Sequence, residues 1–571
     1  PFINYQKKKA FKNSCGYTLP DDPETFGGYF DSGSTWTTNS LTETRNDDYN
    51  VTSQAIANYM GTFGSHNLTV MAGFENYYMK SESLGAARDK YELTGYPYLN
   101  IGSEDFQTNS GTGSEYTSNS VFGRVIYSYA DRYLFQANVR HDGSSRFAKG
   151  YRWGTFPSFS AGWVASEEKF MKNLKWDWLS FLKLRGSWGM LGNERIGSNY
   201  FPYIALMSFG NSLFYMADGS VVSDKTARPA VLAVEDITWE TTTSTDLGLD
   251  VNFLNNRLQF HFDYYWKETK DMLLNIEIPY FMGYNNPSTN AGKMSTHGYD
   301  IEVAWNDQIG DFKYGVNVNF SDFLSKIDYM NDGEQISGGK IKRAGVLFNE
   351  FYGYVCEGIY QTQEEVNNSA RTSTTVTVGD LKYRDISGPD GVPDGVISPE
   401  YDRVPLGNSL PRFQYGGSLN ASYKGIDFSL AFQGIGKQNS YLSTSMVQPL
   451  RDNYGNVPAI LEGKYWSPFN TTEENLAAKY PRLSNVSKSN NYATSNFWMF
   501  NGSYFRLKNI TLGYTLPKSW TQKAGINRAR FYVSGSDLFC LSNFPSGWDP
   551  EMGTSDYPIT TSLVMGIQVN F

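Results

Sequence analysis

No run of about 18 apolar residues occurs anywhere in this 571-residue chain, which excludes a transmembrane helix. A β-barrel stays open, because lipid-facing and water-facing residues alternate along its strands and cancel in the average. The mean hydropathy of −0.46 therefore says nothing against a membrane. Cysteine is nearly missing. Cys15, Cys356 and Cys540 lie far apart and make an odd count, which argues against a disulfide framework. Histidine is as scarce: His66, His141, His261 and His297 are dispersed, with no H-x-x-x-H pair for zinc. There is no G-x-S-x-G nucleophile elbow, and Gly436-Lys437 lacks the frame of a phosphate loop. The adjacent carboxylates Glu167-Glu168 and Glu364-Glu365 suit helix starts or loops. Catalysis has little support in these residues, and the chain reads as a non-enzyme. A net charge of −9 without a basic stripe argues against nucleic acid as a partner. The start at Pro1 shows no signal-peptide pattern, so a mature, truncated or processed chain is expected.

What is abundant is alternation. Leu247, Leu249, Val251 and Phe253 alternate with Gly248, Asp250 and Asn252. After a four-residue break, Leu258, Phe260, Phe262, Tyr264 and Trp266 share one face, and Gln259, His261, Asp263 and Lys267 the other. Successive strand side chains point to opposite faces, so each segment has an apolar and a polar side. The pattern recurs over Tyr133–Arg140, Tyr299–Asn306, Phe312–Phe320 and Ile426–Gln433. Many segments run about ten residues, the length that crosses a bilayer at a tilt.

The connections separate a barrel from a soluble sandwich. Short ones at Gly64–His66, Ala130–Arg132, Leu254–Arg257, Asp307–Asp311 and Lys424–Gly425 alternate with long ones. Two of moderate length fall near Ser166–Ser180 and Pro517–Arg528. The long connections are read at about 80–120, 192–245, 271–298, 326–412, 434–504 and 538–561, with a shorter one at His141–Gly154. Short periplasmic turns and long outer loops are the signature of a transmembrane antiparallel β-barrel. The last strand, Leu563–Phe571, ends on an aromatic of its outward series. The expected fold is all-β, with about fifteen strands, an odd number that cannot close an even-stranded barrel. An open edge would be an aggregation hazard, so further strands are expected before Pro1.

Several motifs resemble the SusC/RagA family of TonB-dependent outer-membrane transporters. The stretch from Tyr133 through Arg140, Asp142 and Arg146 to Phe147 looks like the family's barrel signature, continued by Trp153–Ser158 and Ala161–Trp163. Leu182–Asn193, Trp239-Glu240, Asp246–Gly248, Tyr352–Tyr354, Glu357–Tyr360, Tyr504–Tyr514 and Asp549–Glu551 follow in the family's order. The resemblance implies a plugged barrel of about 22 strands in the bacterial outer membrane. It places the plug, the TonB-contacting segment and the first strands before Pro1. It also implies import of oligosaccharides or peptides with a SusD-like surface lipoprotein as lid.

Candidate binding residues follow from chemistry. Sugars offer apolar faces and hydroxyl rims, which aromatic rings beside amides and charges can meet. Loop residues Tyr284, Asn285 and Trp548 fit that description, but the same aromatics also suit interface girdles or loop packing. Arg140, Asp142 and Arg146 sit near an outer strand end and fit either a contact to substrate or plug, or a structural loop network. Asp385, Asp390, Asp394 and Asp402 alternate with turn glycines. Such carboxylates suit calcium, a hard cation that takes six to eight oxygens. They also suit a turn-rich loop whose aspartates serve turn geometry, since the spacing departs from an EF-hand. No cofactor is required by this reading. The expected function is gated, TonB-energised uptake. A passive porin or specific channel is the nearest alternative, a surface receptor or adhesin the next, and an outer-membrane protease the most distant.

Overall fold

The computed structural model describes the chain except residues 1, 13–38, 175, 197–199, 206, 332, 445–446, 451–456, 458, 485, 487, 554–556 and 558. Cys15 lies outside the described residues. Sixteen strands form one antiparallel sheet in which each strand lies beside its neighbours in sequence. They are β1 (Phe2–Lys12), β2 (Ser40–Phe63), β3 (His66–Asp89), β4 (Gln107–Tyr129), β5 (Tyr133–Ser144), β6 (Trp153–Val164), β7 (Leu179–Asn193) and β8 (Glu240–Phe253). β9 (Leu258–Asn275), β10 (Ser288–Ile309), β11 (Phe312–Met330), β12 (Arg412–Tyr423), β13 (Ile426–Lys437), β14 (Tyr504–Thr515), β15 (Arg528–Ser542) and β16 (Ser562–Asn570) complete it. The sequence reading of about fifteen missed β1, where Lys7, Lys8 and Lys9 in succession break the alternation. Among the described residues the sheet thus has an even number of strands, so parity by itself gives no ground for further ones. Among the described residues β1 and β16 are not paired with each other. No described helix is long and apolar enough to cross a membrane.

The alternation translates into rows across the sheet. Leu184, Leu249, Phe262, Ile301, Phe320 and Tyr415 are successive ladder partners, one per strand. One residue along lies a polar row: Lys183, Asp250, His261, Glu302, Asn319, Gly416, Gln433 and Arg506. A one-residue slip of any strand would exchange the two faces, so the pattern pins the register. The apolar face stays uncovered: Leu247 is 54 % exposed, Met565 74 % and Ile567 65 %. Apolar surface on this scale, on one face of a sheet, is what lipid contact requires.

All short turns lie at one end of the sheet. Gly310 (φ 59°) and Gly425 (φ 90°) sit in two-residue hairpin turns whose twist needs the left-handed region. The first of these is tighter than the sequence reading of 307–311, because β10 continues to Ile309.

At the other end the long connections are shorter than read from sequence. β3 and β4 pair in register from His66↔Tyr129 to Arg88↔Gln107, leaving only residues 90–106 as loop in place of 80–120. These distal strand halves carry Ser, Glu, Gly, Thr and Asn with no apolar face, so nothing in their pattern announced a strand. The ladder alone satisfies their backbone. The 192–245 connection begins after Asn193, ends before Glu240, and contains a hairpin of Met207–Tyr215 with Val221–Pro229. The remaining connections shrink to 276–287, 331–411, 438–503 and 543–561.

Candidate functional site

Several charges of the polar face are held in ion pairs. Arg185 on β7 is the densest hub. Its guanidinium bonds both oxygens of Asp263 and reaches Asp250 at 3.2 Å and Asp246 at 3.6 Å. Lys183 and His261 meet the same Asp250 carboxylate at 3.8 and 3.0 Å. The arrangement depends on Gly248 of β8, since a Cβ there would run into the Arg185 guanidinium. Thus Leu182–Asn193 and Asp246–Gly248, 64 residues apart at Leu182 and Asp246, converge on one cluster. Similarly, Arg506 on β14, 3 % exposed in its side chain, is held by Asp549 and Glu551 of the 543–561 loop. Smaller pairs, Arg412–Asp322 and Arg530–Asp427, bind neighbouring parts of the wall.

Near the outer half of β4 to β7 the inner face forms a hollow of about 800 Å³ bordered by Phe122, Asn138, Arg140, Asp142, Phe156 and Ser158. Two of the sequence candidates stand here. Arg140 bonds Asp142 at 2.7 Å, Ser120 at 2.8 Å and Glu75 at 3.2 Å, while keeping 42 % of its side chain exposed. It is therefore fixed in direction yet open to a ligand. Arg146 is buried instead, its guanidinium lying over the Tyr200 ring at 4.4 Å and the Tyr116 ring at 5.3 Å. It belongs to the structural network. Next to it Phe147, Phe156, Ile196, Ile237 and Trp239 form a core, and the Trp239 indole donates to Arg152 O at 2.9 Å.

Above the wall the two longest connections are welded into one cap. In 331–411, a four-stranded sheet comprises Glu334–Ser337, Lys340–Arg343, Glu350–Tyr354 and Arg403–Asn408. In 438–503, Trp498 is fully buried and its indole donates to Asn491 O at 2.7 Å. The two connections share a core of Tyr354, Leu381, Tyr383 and Ile397 with Ala493 and Phe497. Buried Asp380 joins them: it accepts from Arg482 Nε at 2.7 Å, Asn491 Nδ2 at 3.0 Å and Thr377 N at 2.9 Å. A third connection enters through Phe544 and Trp548, packed on Leu442, Val447 and Trp498. Trp548 thus takes part in loop packing. Tyr284 is half-buried and Asn285 exposed, beside the base of the 207–229 hairpin, where Asn285 N donates to Ala230 O at 2.9 Å.

The four aspartates divide. Asp402 is fully buried, and its two oxygens accept from Ile386 N, Ser387 N and Ser398 N at 2.7, 3.3 and 2.7 Å. Asp385 accepts from Gly395 N at 2.7 Å and Asp394 from Val396 N at 2.9 Å. Asp390 is exposed on the turn. These bonds are the turn geometry that the glycine-rich spacing allows. Among the described residues no three His, Cys, Asp or Glu side chains gather as a metal set.

Cys356 in the cap has its thiol pushed up to about 11 by burial. At pH 8 its thiolate fraction is then about one in a thousand, against roughly one in four for an ordinary thiol near 8.5. Alkylation by iodoacetamide at pH 8, followed by mass spectrometry of the Cys356 peptide, should be at least about 50-fold slower in folded than in urea-unfolded protein. Equal rates would show the cap to be open.

Residues 3–534 match the family described as TonB dependent receptor-like, beta-barrel. The chain belongs to this family. As a member it is an outer-membrane barrel protein, consistent with the exposed apolar rows. TonB-dependent receptor P3 of Formosa agariphila is 30 % identical over 560 residues, covering 91 % of this chain and 52 % of that protein. TonB-dependent receptor SusC of Bacteroides thetaiotaomicron is 28 % identical, covering 92 % of this chain and 50 % of that protein. The chain thus spans about half the length of these relatives. The solved structure of the RagAB peptide transporter superposes over 100 % of this chain and 59 % of its own, with a TM-score of 0.78 at 23 % identity. That likeness is one of fold.

Sequence reasoning named Arg140 and Asp142, which the structure brings together on the inner face, but missed the Arg185 hub. The available signal was Gly248, a glycine on the polar face of a strand otherwise rich in β-formers. Glycine in a strand marks a close approach.

Proposed function

We propose that this chain supplies the wall and outer loops of an active importer of oligosaccharides or peptides, gated by a plug and energised through TonB. A SusD-like surface lipoprotein acts with it as lid. The observation that carries the reading is the polar row from Lys183 to Arg506 on the inner face of a barrel of this family, in which Lys183, Asp250 and Arg506 are ion-paired, His261 meets Asp250, and Glu302 accepts from the Asn317 amide. A wall of paired charges is hydrated without binding every passing ion, which suits a route that must let its cargo go. Arg140, Asp142 and the aromatics of the neighbouring hollow are the proposed first contacts, since rings meet the apolar faces of a sugar or side chain and the guanidinium its oxygens.

Deleting the gene should abolish growth on one oligosaccharide or peptide source and spare other nutrients. Inactivating TonB in the parent strain should abolish the same uptake. Normal growth of the deletion strain on every such source would overturn the proposal, and uptake that persists without TonB would make the barrel a passive channel.

A further inference from the structure

The segment 165–178 between β6 and β7 differs from the two- to four-residue turns beside it at the short-turn end. It contains a one-turn helix, α1 (Lys169–Asn173). It also leaves four large apolar side chains in the open: Phe170 55 % exposed, Leu174 48 %, Trp176 44 % and Trp178 48 %. In a soluble protein such a group would be an anomaly.

Its placement is decided at both ends. Glu168, which precedes α1, is clamped by the Arg132 guanidinium at 3.0 Å and the Trp163 indole at 3.2 Å. Trp163 pairs with Tyr133 on one side and Leu184 on the other, all members of the apolar, lipid-facing rows. At the far end Trp178 stacks on Phe253, ring centroids 5.8 Å apart, and Trp176 stacks on Trp178 at 5.3 Å. Phe253 closes the outward series Leu247, Leu249, Val251. Both anchors lie on the outer side of the wall, so the described residues of the segment hang beside the barrel rather than beneath its lumen.

We propose that 165–178 is a membrane foot that rests on the phospholipid headgroups of the periplasmic leaflet. The occupant follows from continuity: Trp178 and, stacked on it, Trp176 extend the lipid-facing series that ends at Phe253, and Phe170 and Leu174 are exposed in the same connection. Their chemistry agrees. Tryptophan favours the headgroup level, where its ring is apolar and its N–H is wet. Lys169 and Lys172 are exposed on the same turn, with Lys172 held by Glu167 at 2.5 Å, as on short helices that lie in the interface plane. The foot would fix the height and tilt of the wall at β6–β8.

The test uses the full-length protein in bilayers of lipid brominated near the headgroup or near the bilayer centre, which quenches tryptophan on contact. The double variant W176F/W178F retains the apolar bulk, and its emission subtracted from wild type isolates the two indoles. Headgroup-level bromine should remove at least about half of that difference emission, and bromine at the bilayer centre much less. A difference emission quenched by neither lipid would overturn the proposal, showing the segment covered by protein or free in the periplasm. Stronger quenching from the bilayer centre would overturn it too, placing the segment in the hydrocarbon.

Discussion

Replacing Arg185 with methionine is expected to speed unfolding of the barrel wall by about 30-fold or more. The guanidinium is the shared partner of Asp246, Asp250 and Asp263. Its removal leaves three carboxylates within one cluster, with Lys183 at 3.8 Å as a neighbouring cation. Breaking a buried pair costs about 3–5 kcal/mol. The inner face is hydrated, which lowers the figure here to about 2–3 kcal/mol, and each 1.4 kcal/mol is about tenfold in rate. Because membrane barrels commonly unfold irreversibly, the rate is the quantity to measure, as loss of the compact band on unheated gels during incubation in urea. The double variant R185M/D263N should recover part of the loss, since it removes one uncompensated charge. Gly248→Val should resemble R185M with every charge in place, because its side chain displaces the guanidinium. Unchanged unfolding of R185M would mean that lumen water replaces the hub without cost.

Asp380→Ala should open the outer cap and leave the wall intact. The carboxylate is fully buried and ties Arg482 and Asn491 of one connection to Thr377 of the other. Its loss removes an acceptor from the Arg482 guanidinium and from the amide of Asn491, a residue 2 % exposed. The expected cost is about 3 kcal/mol, the low end for such a pair, because a quarter of the Arg482 side chain still reaches water. Asp380→Asn, which keeps acceptor capacity, should cost less. Limited proteolysis of the protein in its membrane reads the effect directly. Cleavage should concentrate in 331–411 and 438–503, while peptides of β2 to β10 stay protected. An unchanged digestion pattern would show that the cap does not depend on this junction.

How much of this could be read from sequence depended on what each residue faces. Leu258–Trp266 was legible because lipid and water impose opposite demands on alternate residues. The distal halves of β3 and β4 were not, because water lies on both of their faces and no alternation is selected. The ends of the loops suffered the same way: β9 runs on through Leu273 to Asn275, past the expected boundary at 271. Asn490–Tyr492 and Phe497–Phe500 give no local sign of where they pack. They form the cap core, because their partners Leu381 and Tyr383 lie more than 100 residues away, beyond any local pattern. For the site, Arg140 and Asp142 were found because they are two residues apart on one strand face. Arg185 and its aspartates were missed because pairing across strands depends on register.

The length of β2, β3 and β4 has a consequence for anything that approaches from outside. At about 3.3 Å per residue, strands of 23 and 24 residues reach nearly 80 Å. Tilted by about 40°, they rise about 60 Å, more than twice an apolar band of about 25 Å. On this flank the lipid surface is not the doorway. A molecule approaching on this side meets a polar parapet whose crest stands roughly 30 Å above the bilayer.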